Sequence, residues 1–314
     1  MREIIVFAGS SHPELAAEIC EHLGVPLSPA RLDRFANDCL EAQLDANCRE
    51  RDVFLIQTLS APVQEHLMEL LLMIDAARGA SAARITVVMP FYAYARSDKK
   101  DAPRISIGGR LVADLLATAG ASRVLTVALH APQVHGFFSV PVDNLHALAA
   151  LAEHFRGLDL SNTVVVAPDL GYAKSAAGFA RRLGVGVAVG AKQRFAGDVV
   201  RISAIIGEVA GRDIIVVDDE IAAGSTVIEL LARLREAGAG QVRIACTHGL
   251  FNRQSIERLA DEPEVVEIVA TNTVPIPPEK RISKLTVLSV APALAEAMRR
   301  IHDGESVSQL FHDG

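Results

Sequence analysis

Residues 214–238 read IIVVDDEIAAGSTVIELLARLREAG. A β-branched apolar run, Ile214 to Val217, ends in two adjacent carboxylates, Asp218 and Asp219. Gly224, Ser225 and Thr226 follow within a few residues and open a run with apolar positions at Val227, Leu230, Leu231 and Leu234, the period of a helix. A strand that stops at acids or small residues and passes directly into a helix is the repeating unit of parallel α/β proteins. The same sequence pattern recurs at 3–9 (EIIVFAG), 52–58 (DVFLIQT), 84–90 (RITVVMP), 123–129 (RVLTVAL), 163–169 (TVVVAPD), 185–191 (VGVAVGA) and 243–249 (RIACTHG). The fold class is therefore α/β, with mostly parallel sheets flanked by helices.

The decisive segment also proposes a chemistry. Carboxylates at the end of a strand can accept hydrogen bonds from sugar hydroxyls, and a small-residue turn opening a helix offers backbone N–H groups and a positive dipole end to a phosphate. A turn with solvated acids is the alternative at this point.

The chain has 314 residues, half of them apolar, with 38 acidic against 31 basic side chains. That length suits two domains. The mild acidic excess gives no support to a nucleic acid or a membrane surface as partner. The runs LMELLLMIDAA and LHALAALAEHF are too short to span a bilayer. The N-terminal MREIIVFAGSS reads as a first strand and loop, not as a signal peptide. Cys20, Cys39, Cys48 and Cys246 make no zinc or CxxC spacing, so a cytoplasmic location is expected. Cys246, inside a strand pattern, reads as inert.

The two halves echo each other. LGVPL from Leu23 pairs with LGVGV from Leu183, RDVFLIQ from Arg51 with RDIIVVD from Arg212, and RITVVMPF from Arg84 with RIACTHGLF from Arg243, at offsets of 159 to 161 residues. Three pairs at nearly one offset argue for duplicated domains, 1–146 and 147–314, with a two-substrate site expected in the cleft that such halves form.

Four further stretches could carry chemistry. Arg96, Lys99, Lys100 and Arg104 lie in a loop after the strand at 84–90, where ligands of α/β proteins sit, and suit a closing flap that grips polyphosphate. A solvated charged loop is the other reading. His130 follows the strand at 123–129 and could meet a metal or a phosphate, or be structural; His135 need not share its face. Asp169 ends a strand before Gly171 and a helix, as a ligand contact or a helix-capping acid. Lys192 and Arg194 flank one residue and so face the same way on an extended chain, as surface charges or as stabilisers of a transferring phosphoryl group.

In order and spacing these stretches resemble the ribose-phosphate pyrophosphokinases (phosphoribosyl pyrophosphate synthetases) along essentially the whole chain. The matching segments are Arg34-Phe35, Arg49 with DVFLIQ, PFYAYARSDKK, LHAPQVHGFFSVPVDNL, VVVAPDLG, AKQR, VVDDE, THGLF and the terminal GESVSQLF. The resemblance implies two type I phosphoribosyltransferase-like domains in a homo-oligomer, a hexamer or a smaller even-numbered form. It implies transfer of the diphosphate of Mg-ATP, with Mg2+ as cofactor, to the C1 hydroxyl of ribose 5-phosphate, with release of AMP. By position, Phe35 would stack on adenine in a neighbouring subunit. Asn37, Arg96 and Ser97 would belong to the ATP site, and His130 would meet the metal–phosphate group. Lys99 and Lys100 would lie in the catalytic loop, and Lys192 and Arg194 would steady the transition state. Asp169, Asp218 and Asp219 would face the ribose-phosphate, with Asp169 also near the metal, and Gly224, Ser225 and Thr226 would form the 5-phosphate turn. Arg49, Ser306 and Ser308 fall in segments linked to regulation.

Several departures from the family pattern fall inside that site. Asn37 and Cys39 stand where acids are expected near adenine, Ser97 where glutamine is usual, and Ala128 where an aspartate helps to hold metal. Ala222 and Ala223 replace an Asp-Thr pair, and Ser225 replaces a glycine. These changes leave two alternatives beside an active synthetase: a non-catalytic subunit that binds nucleotide or sugar phosphate, and a related diphosphokinase with another substrate. A phosphoribosyltransferase would need only one such domain.

Overall fold

The computed structural model describes residues 3–194, 200–252 and 254–310, and of residues 193, 194, 200, 201 and 309 the backbone alone. The chain divides into two compact units. The first holds the described residues of 1–146, 273–275 and 289–313; the second holds those of 147–272 and 276–288.

The first unit runs β1 (Ile4–Ala8), α1 (Pro13–Leu23), β2 (Leu27–Ser28), β3 (Ala30–Arg34), β4 (Leu40–Leu44), β5 (Asp52–Ile56), α2 (Val63–Gly79), β6 (Arg84–Met89), α3 (Gly108–Ala119), β7 (Arg123–Val127) and β8 (Val142–Leu145). Six of these strands form a wholly parallel sheet in the order β2-β1-β5-β6-β7-β8. All five residues of β5 are buried, which is why its sequence is continuously apolar after Asp52 instead of alternating.

The second unit runs α4 (Leu148–Phe155), β9 (Thr163–Ala167), α5 (Ala173–Leu183), β10 (Gly186–Arg194), β11 (Val200–Ile206), β12 (Asp213–Ile221), α6 (Ser225–Glu236), β13 (Val242–Gly249), α7 (Ser255–Ala260), β14 (Val265–Thr271) and β15 (Leu285–Leu288). Its sheet has the order β11-β10-β9-β12-β13-β14-β15, parallel except for the edge strand β11. Successive residues feed opposite faces, as strand geometry demands. Val164, Val166, Ile214 and Val216 pack with Leu230, Leu231 and Leu234 of α6. Val165, Ala167, Ile215 and Val217 pack instead with Phe155 of α4 and Phe179 of α5. Each valine, isoleucine or leucine among them contributes about 1.5–3 kcal/mol by burial.

The expected fold class is met, and the internal echo is a repeat of topology. Setting β11 aside, the order β2-β1-β5-β6-β7-β8 of one sheet matches β10-β9-β12-β13-β14-β15 of the other. The paired LGV segments end α1 and α5 in the same way, with Gly24 (φ 69°, ψ 29°) and Gly184 (φ 71°, ψ 26°) as left-handed caps.

Two features differ from a plain strand–helix alternation. Strands β3 and β4 form a separate antiparallel hairpin, whose β4 packs on α2. The last long helix, α8 (Ala291–Asp303), belongs to the first unit and packs on α1. Its His302 Nδ1 lies 2.8 Å from Asp52 Oδ2 at the start of β5.

Candidate functional site

In the first unit the candidate residues gather beyond the C-terminal ends of β6 and β7. After β6 a 3-10 turn, Ala93–Arg96, leaves Arg96 exposed and begins the cationic loop. Ser97 clasps the two ends of that loop. Its Oγ accepts the Gly108 amide at 2.8 Å and donates to Ser106 O at 3.3 Å, while its carbonyl accepts the Gly109 amide at 3.0 Å. The Ser97 hydroxyl, assigned to ATP on resemblance, is thus engaged in loop closure. Lys99 and Lys100 project from the span so defined and are exposed.

After β7, Ala128 adopts a left-handed backbone (φ 45°) and its amide donates to Leu145 O at 2.8 Å. A non-glycine residue in that region at a strand exit carries strain of the kind that collects at functional sites. The Leu129 amide donates to Asn144 Oδ1 at 3.1 Å. Leu129 and Ala131 are buried, so His130 between them is turned outward. One residue beyond the following proline, Gln133 donates from Nε2 to Asp98 of the cationic loop, which brings the His130 segment and the Arg96–Lys100 segment together. His135 has a structural place, with Nε2 2.9 Å from Val142 O.

Phe35 and Asn37 sit in the turn of the β3–β4 hairpin. Phe35 is 52% exposed, a large apolar residue left open in the single chain. Asn37 Oδ1 accepts the Cys39 amide at 3.2 Å, so its side chain shapes the turn. Arg49 and the pair Ser306 and Ser308 also lie in this unit. Arg49 Nη1 reaches Ser81 Oγ at 3.5 Å, just before β5. Ser306 follows α8, takes the Ser308 amide on Oγ at 3.2 Å, and takes Arg300 Nη1 on its carbonyl at 3.0 Å.

In the second unit the fold brings Asp169, Lys192, Asp218 and Asp219 to the C-terminal ends of β9, β10 and β12, where ligands of open α/β sheets bind. Lys192 Nζ lies 2.6 Å from Asp169 Oδ2. The register of β10 against β11 shifts between Ala191 and Lys192, a bulge of the kind that re-aims a side chain. Arg194 ends β10, and its side chain lies outside the described residues. Burial alone would raise the Asp169 carboxyl. The Lys192 hydrogen bond and charge, with the amides of Tyr172 and Gly171, outweigh burial and hold it below the usual carboxylate range.

Asp218 behaves in the opposite way. Burial, and then the charge of Asp219, push its carboxyl well above the usual range, because two neighbouring acids cannot both ionise cheaply. The Asp219 amide donates to Asp218 Oδ1 at 2.9 Å. Tyr172, which the sequence motif contains but to which no role is attached, lies among these acids. Burial raises its phenol well above the ordinary value, with the charges of Asp219 and then Asp218 adding to the effect. Cys246, opposite Asp218 on β13, is fully buried and its thiol is pushed far up by burial first, as its strand pattern leads one to expect of an inert cysteine.

Gly224 takes a left-handed backbone (φ 71°), and a Cβ there would lie 3.3 Å from Ser255 Cβ, so glycine is required for the tight entry into α6. No side chain caps this helix start, and Ser225 is exposed. Such a start presents backbone donors to an anion. Ala222 uses its carbonyl to accept the Asn252 amide (2.8 Å) and Ser255 Oγ (3.0 Å), which fixes the turn without a side-chain acceptor at that position.

The acid pair makes a prediction about stability. The folded protein binds a proton at Asp218 more tightly than the unfolded chain. Its favourable contribution is therefore full below the ordinary carboxylate range and is lost as pH rises through the folded value. Asp218→Asn removes that loss. The stability advantage of the variant over the parent, read by thermal melting, is expected to be small at pH 4 and to widen toward pH 8, reaching on the order of 1 kcal/mol. An advantage that shrinks with rising pH would contradict the assignment.

Comparison with known proteins points one way. Residues 4–120 match the family model for the N-terminal domain of ribose phosphate pyrophosphokinase, and residues 201–312 match that for the phosphoribosyl synthetase-associated domain. A Streptomyces coelicolor protein provisionally named a ribose-phosphate pyrophosphokinase is 71% identical over 311 residues, covering 99% of this chain and 98% of its own. The ribose-phosphate pyrophosphokinase of Deinococcus radiodurans is 50% identical over 313 residues, covering 98% of each chain. The crystal structure of phosphoribosylpyrophosphate synthetase from Mycobacterium smegmatis superposes with a TM-score of 0.89 at 41% identity, covering 96% of this chain and all of the other.

Proposed function

The chain belongs to the ribose-phosphate pyrophosphokinase family, and from that premise we propose how it works: it transfers the diphosphate of Mg-ATP to the C1 hydroxyl of ribose 5-phosphate, releasing AMP. The observation that carries this reading is the second unit's strand-end group. It sets an ionised Asp169 and a cationic Lys192 at the same sheet edge as the Asp218–Asp219 acids and the uncapped start of α6. Acids suit ribose hydroxyls, the helix start suits the 5-phosphate, and the lysine suits the charge that spreads over a transferring phosphoryl group.

In this reading Gly224, Ser225 and Thr226 hold the 5-phosphate, Asp218 and Asp219 orient the sugar, and Lys192 with Arg194 stabilises the transition state. Arg96, Lys99, Lys100 and His130 serve the triphosphate, and Ser97 does so by tying the ends of the loop at 97–108, which closes to exclude water. Phe35 and Asn37 serve adenine in a neighbouring copy of a homo-oligomer, a role that the open ring of Phe35 supports. Arg49, Ser306 and Ser308 belong to a regulatory region.

Among the described residues no three His, Cys, Asp or Glu side chains converge on a common metal position. The donors fit an ion that is held chiefly by substrate phosphates and water, as Mg2+ commonly is, with Asp169 as a hard oxygen ligand and His130 beside the phosphates. Held there, Mg2+ would supply positive charge that offsets the negative charge of the triphosphate during transfer. Among the described residues no helix is long and apolar enough to cross a membrane. On its free cysteines, which suit a reducing compartment, we place the enzyme in the cytoplasm.

A non-catalytic subunit is the competing reading, favoured by the alanines at 128 and 222. Purified protein with Mg-ATP and ribose 5-phosphate decides between them: AMP should form in the parent and far more slowly in Lys192→Ala. If AMP forms, Ala222→Asp, which adds an acceptor beside the sugar, is expected to shift the KM for ribose 5-phosphate by about tenfold, the scale of one hydrogen bond to a charged group. The KM for ATP should move less. A larger shift in the ATP constant would show that the loop is misassigned.

A further inference from the structure

Both oxygens of Asp169 are engaged within the second unit. Oδ2 receives Lys192 Nζ at 2.6 Å, and Oδ1 accepts the Tyr172 amide at 3.2 Å. The pair spans the neighbouring parallel strands β9 and β10, whose register sets Ala167 beside Val189, so the residues just beyond meet at the sheet edge. The two side chains are 34% and 29% exposed. The contact is therefore preorganised by the strands yet open to a ligand arriving from solvent.

An ammonium and a divalent ion cannot share one carboxylate oxygen without direct repulsion between them. We infer that Lys192 is a built-in cation that occupies Asp169 while no anionic ligand is present, so that a divalent metal gains Asp169 only when a polyphosphate draws Lys192 away. The inference rests on the reading of Asp169 as a residue that meets the metal-bearing triphosphate. A triphosphate offers the ammonium several anionic oxygens in place of one carboxylate, and the departure of the lysine leaves a hard oxygen ligand vacant. Metal and nucleotide then enter together, and metal alone binds poorly. The coupling is reciprocal: whatever loosens Lys192 favours metal at Asp169, and metal at Asp169 loosens Lys192.

The test uses the full chain without nucleotide and Mn2+ as a spectroscopic probe, titrated by electron paramagnetic resonance. Lys192→Gln is expected to bind Mn2+ roughly tenfold more tightly than the parent, within the span usual for coupled sites. The double variant Lys192→Gln/Asp169→Asn should lose that gain. Equal affinity in Lys192→Gln and parent, or a gain that persists in the double variant, overturns the proposal. Thermal melting checks that the variants fold. A second readout needs only Asp169→Asn: acetylation of Lys192 by acetic anhydride, followed by mass spectrometry, should accelerate several-fold when the carboxylate is removed, and an unchanged rate also overturns the proposal. The enzymatic reading fails separately. AMP release without a gain in Mn2+ affinity sinks the counter-ion and keeps the synthetase, whereas the Mn2+ gain without AMP release does the reverse.

Discussion

Replacing Lys192 by alanine is expected to lower kcat for AMP formation by about 10²–10³-fold, or about 3–4 kcal/mol of transition-state stabilisation. The size follows from where the charge sits. Lys192 is carried on a strand, re-aimed by the bulge between Ala191 and Lys192, and held at Asp169 before any substrate arrives. Its backbone is fixed by the strand, so only the side chain has to swing from Asp169 to the phosphates for it to meet charge that develops during transfer. Because that charge is greatest in the transition state, the KM for ATP should change by much less than kcat. Lys192→Arg keeps the charge but presents a planar fork in place of a compact ammonium, so partial activity is expected. Steady-state kinetics at saturating Mg-ATP read both effects. A kcat within a few-fold of the parent in Lys192→Ala would remove Lys192 from the chemistry.

The proposal of that role starts from two cations around one residue after a strand; the partner at Asp169 is not readable there. Spacing places Lys192 and Asp169 at strand ends, but which strand ends are neighbours is a property of the sheet order, β10-β9-β12, which no local pattern encodes. The parallel strands themselves are legible because burial on both faces leaves an apolar run, as in Asp52–Ile56. The β3–β4 hairpin escapes that signal. Its residues alternate between half-buried and exposed, and the segments ARLDR and LEAQL carry too few apolar side chains to stand out. Ser97 illustrates another limit. Resemblance assigns it to nucleotide, yet its hydroxyl ties the two ends of the cationic loop, a contact between residues 97 and 108 that depends on the loop's path.

The departures from the family pattern also take on physical content. Ala222 leaves a backbone turn intact, because the bonds from Asn252 and Ser255 go to its carbonyl and not to a side chain. Ala128 takes a left-handed bend two residues before the exposed His130. What these alanines remove is oxygen donors, not geometry. An ordered turn with fewer oxygen donors argues for altered ligand affinities more than for a collapsed site.

The second large effect is on stability and lies far from the chemistry. Asp52→Ala is expected to destabilise the first unit by about 3 kcal/mol, the lower part of the range for breaking a buried ion pair. Asp52 is 0% exposed; its carboxylate meets Arg84 through Nε at 3.1 Å and through Nη2, and His302 Nδ1 at 2.8 Å. Arg84 Nη2 also donates to His302 O at 3.3 Å. Removal of the acid leaves a guanidinium and an imidazole facing each other with no counter-charge, and α8 loses its tie to β5. Arg84 is partly open to solvent, which screens some of the loss and argues for the lower figure. At about 2–4 °C per kcal/mol for a unit of this size, the calorimetric transition of the first unit should fall by roughly 6–12 °C. Because the tie is ionic, replacing all three residues together by apolar side chains of similar volume should recover much of the loss, whereas a single substitution cannot. Below the transition, kcat should stay close to that of the parent, which separates this variant from Lys192→Ala. A shift under about 2 °C would mean that packing of α8 on α1, and not the buried pair, holds the C-terminal helix in place.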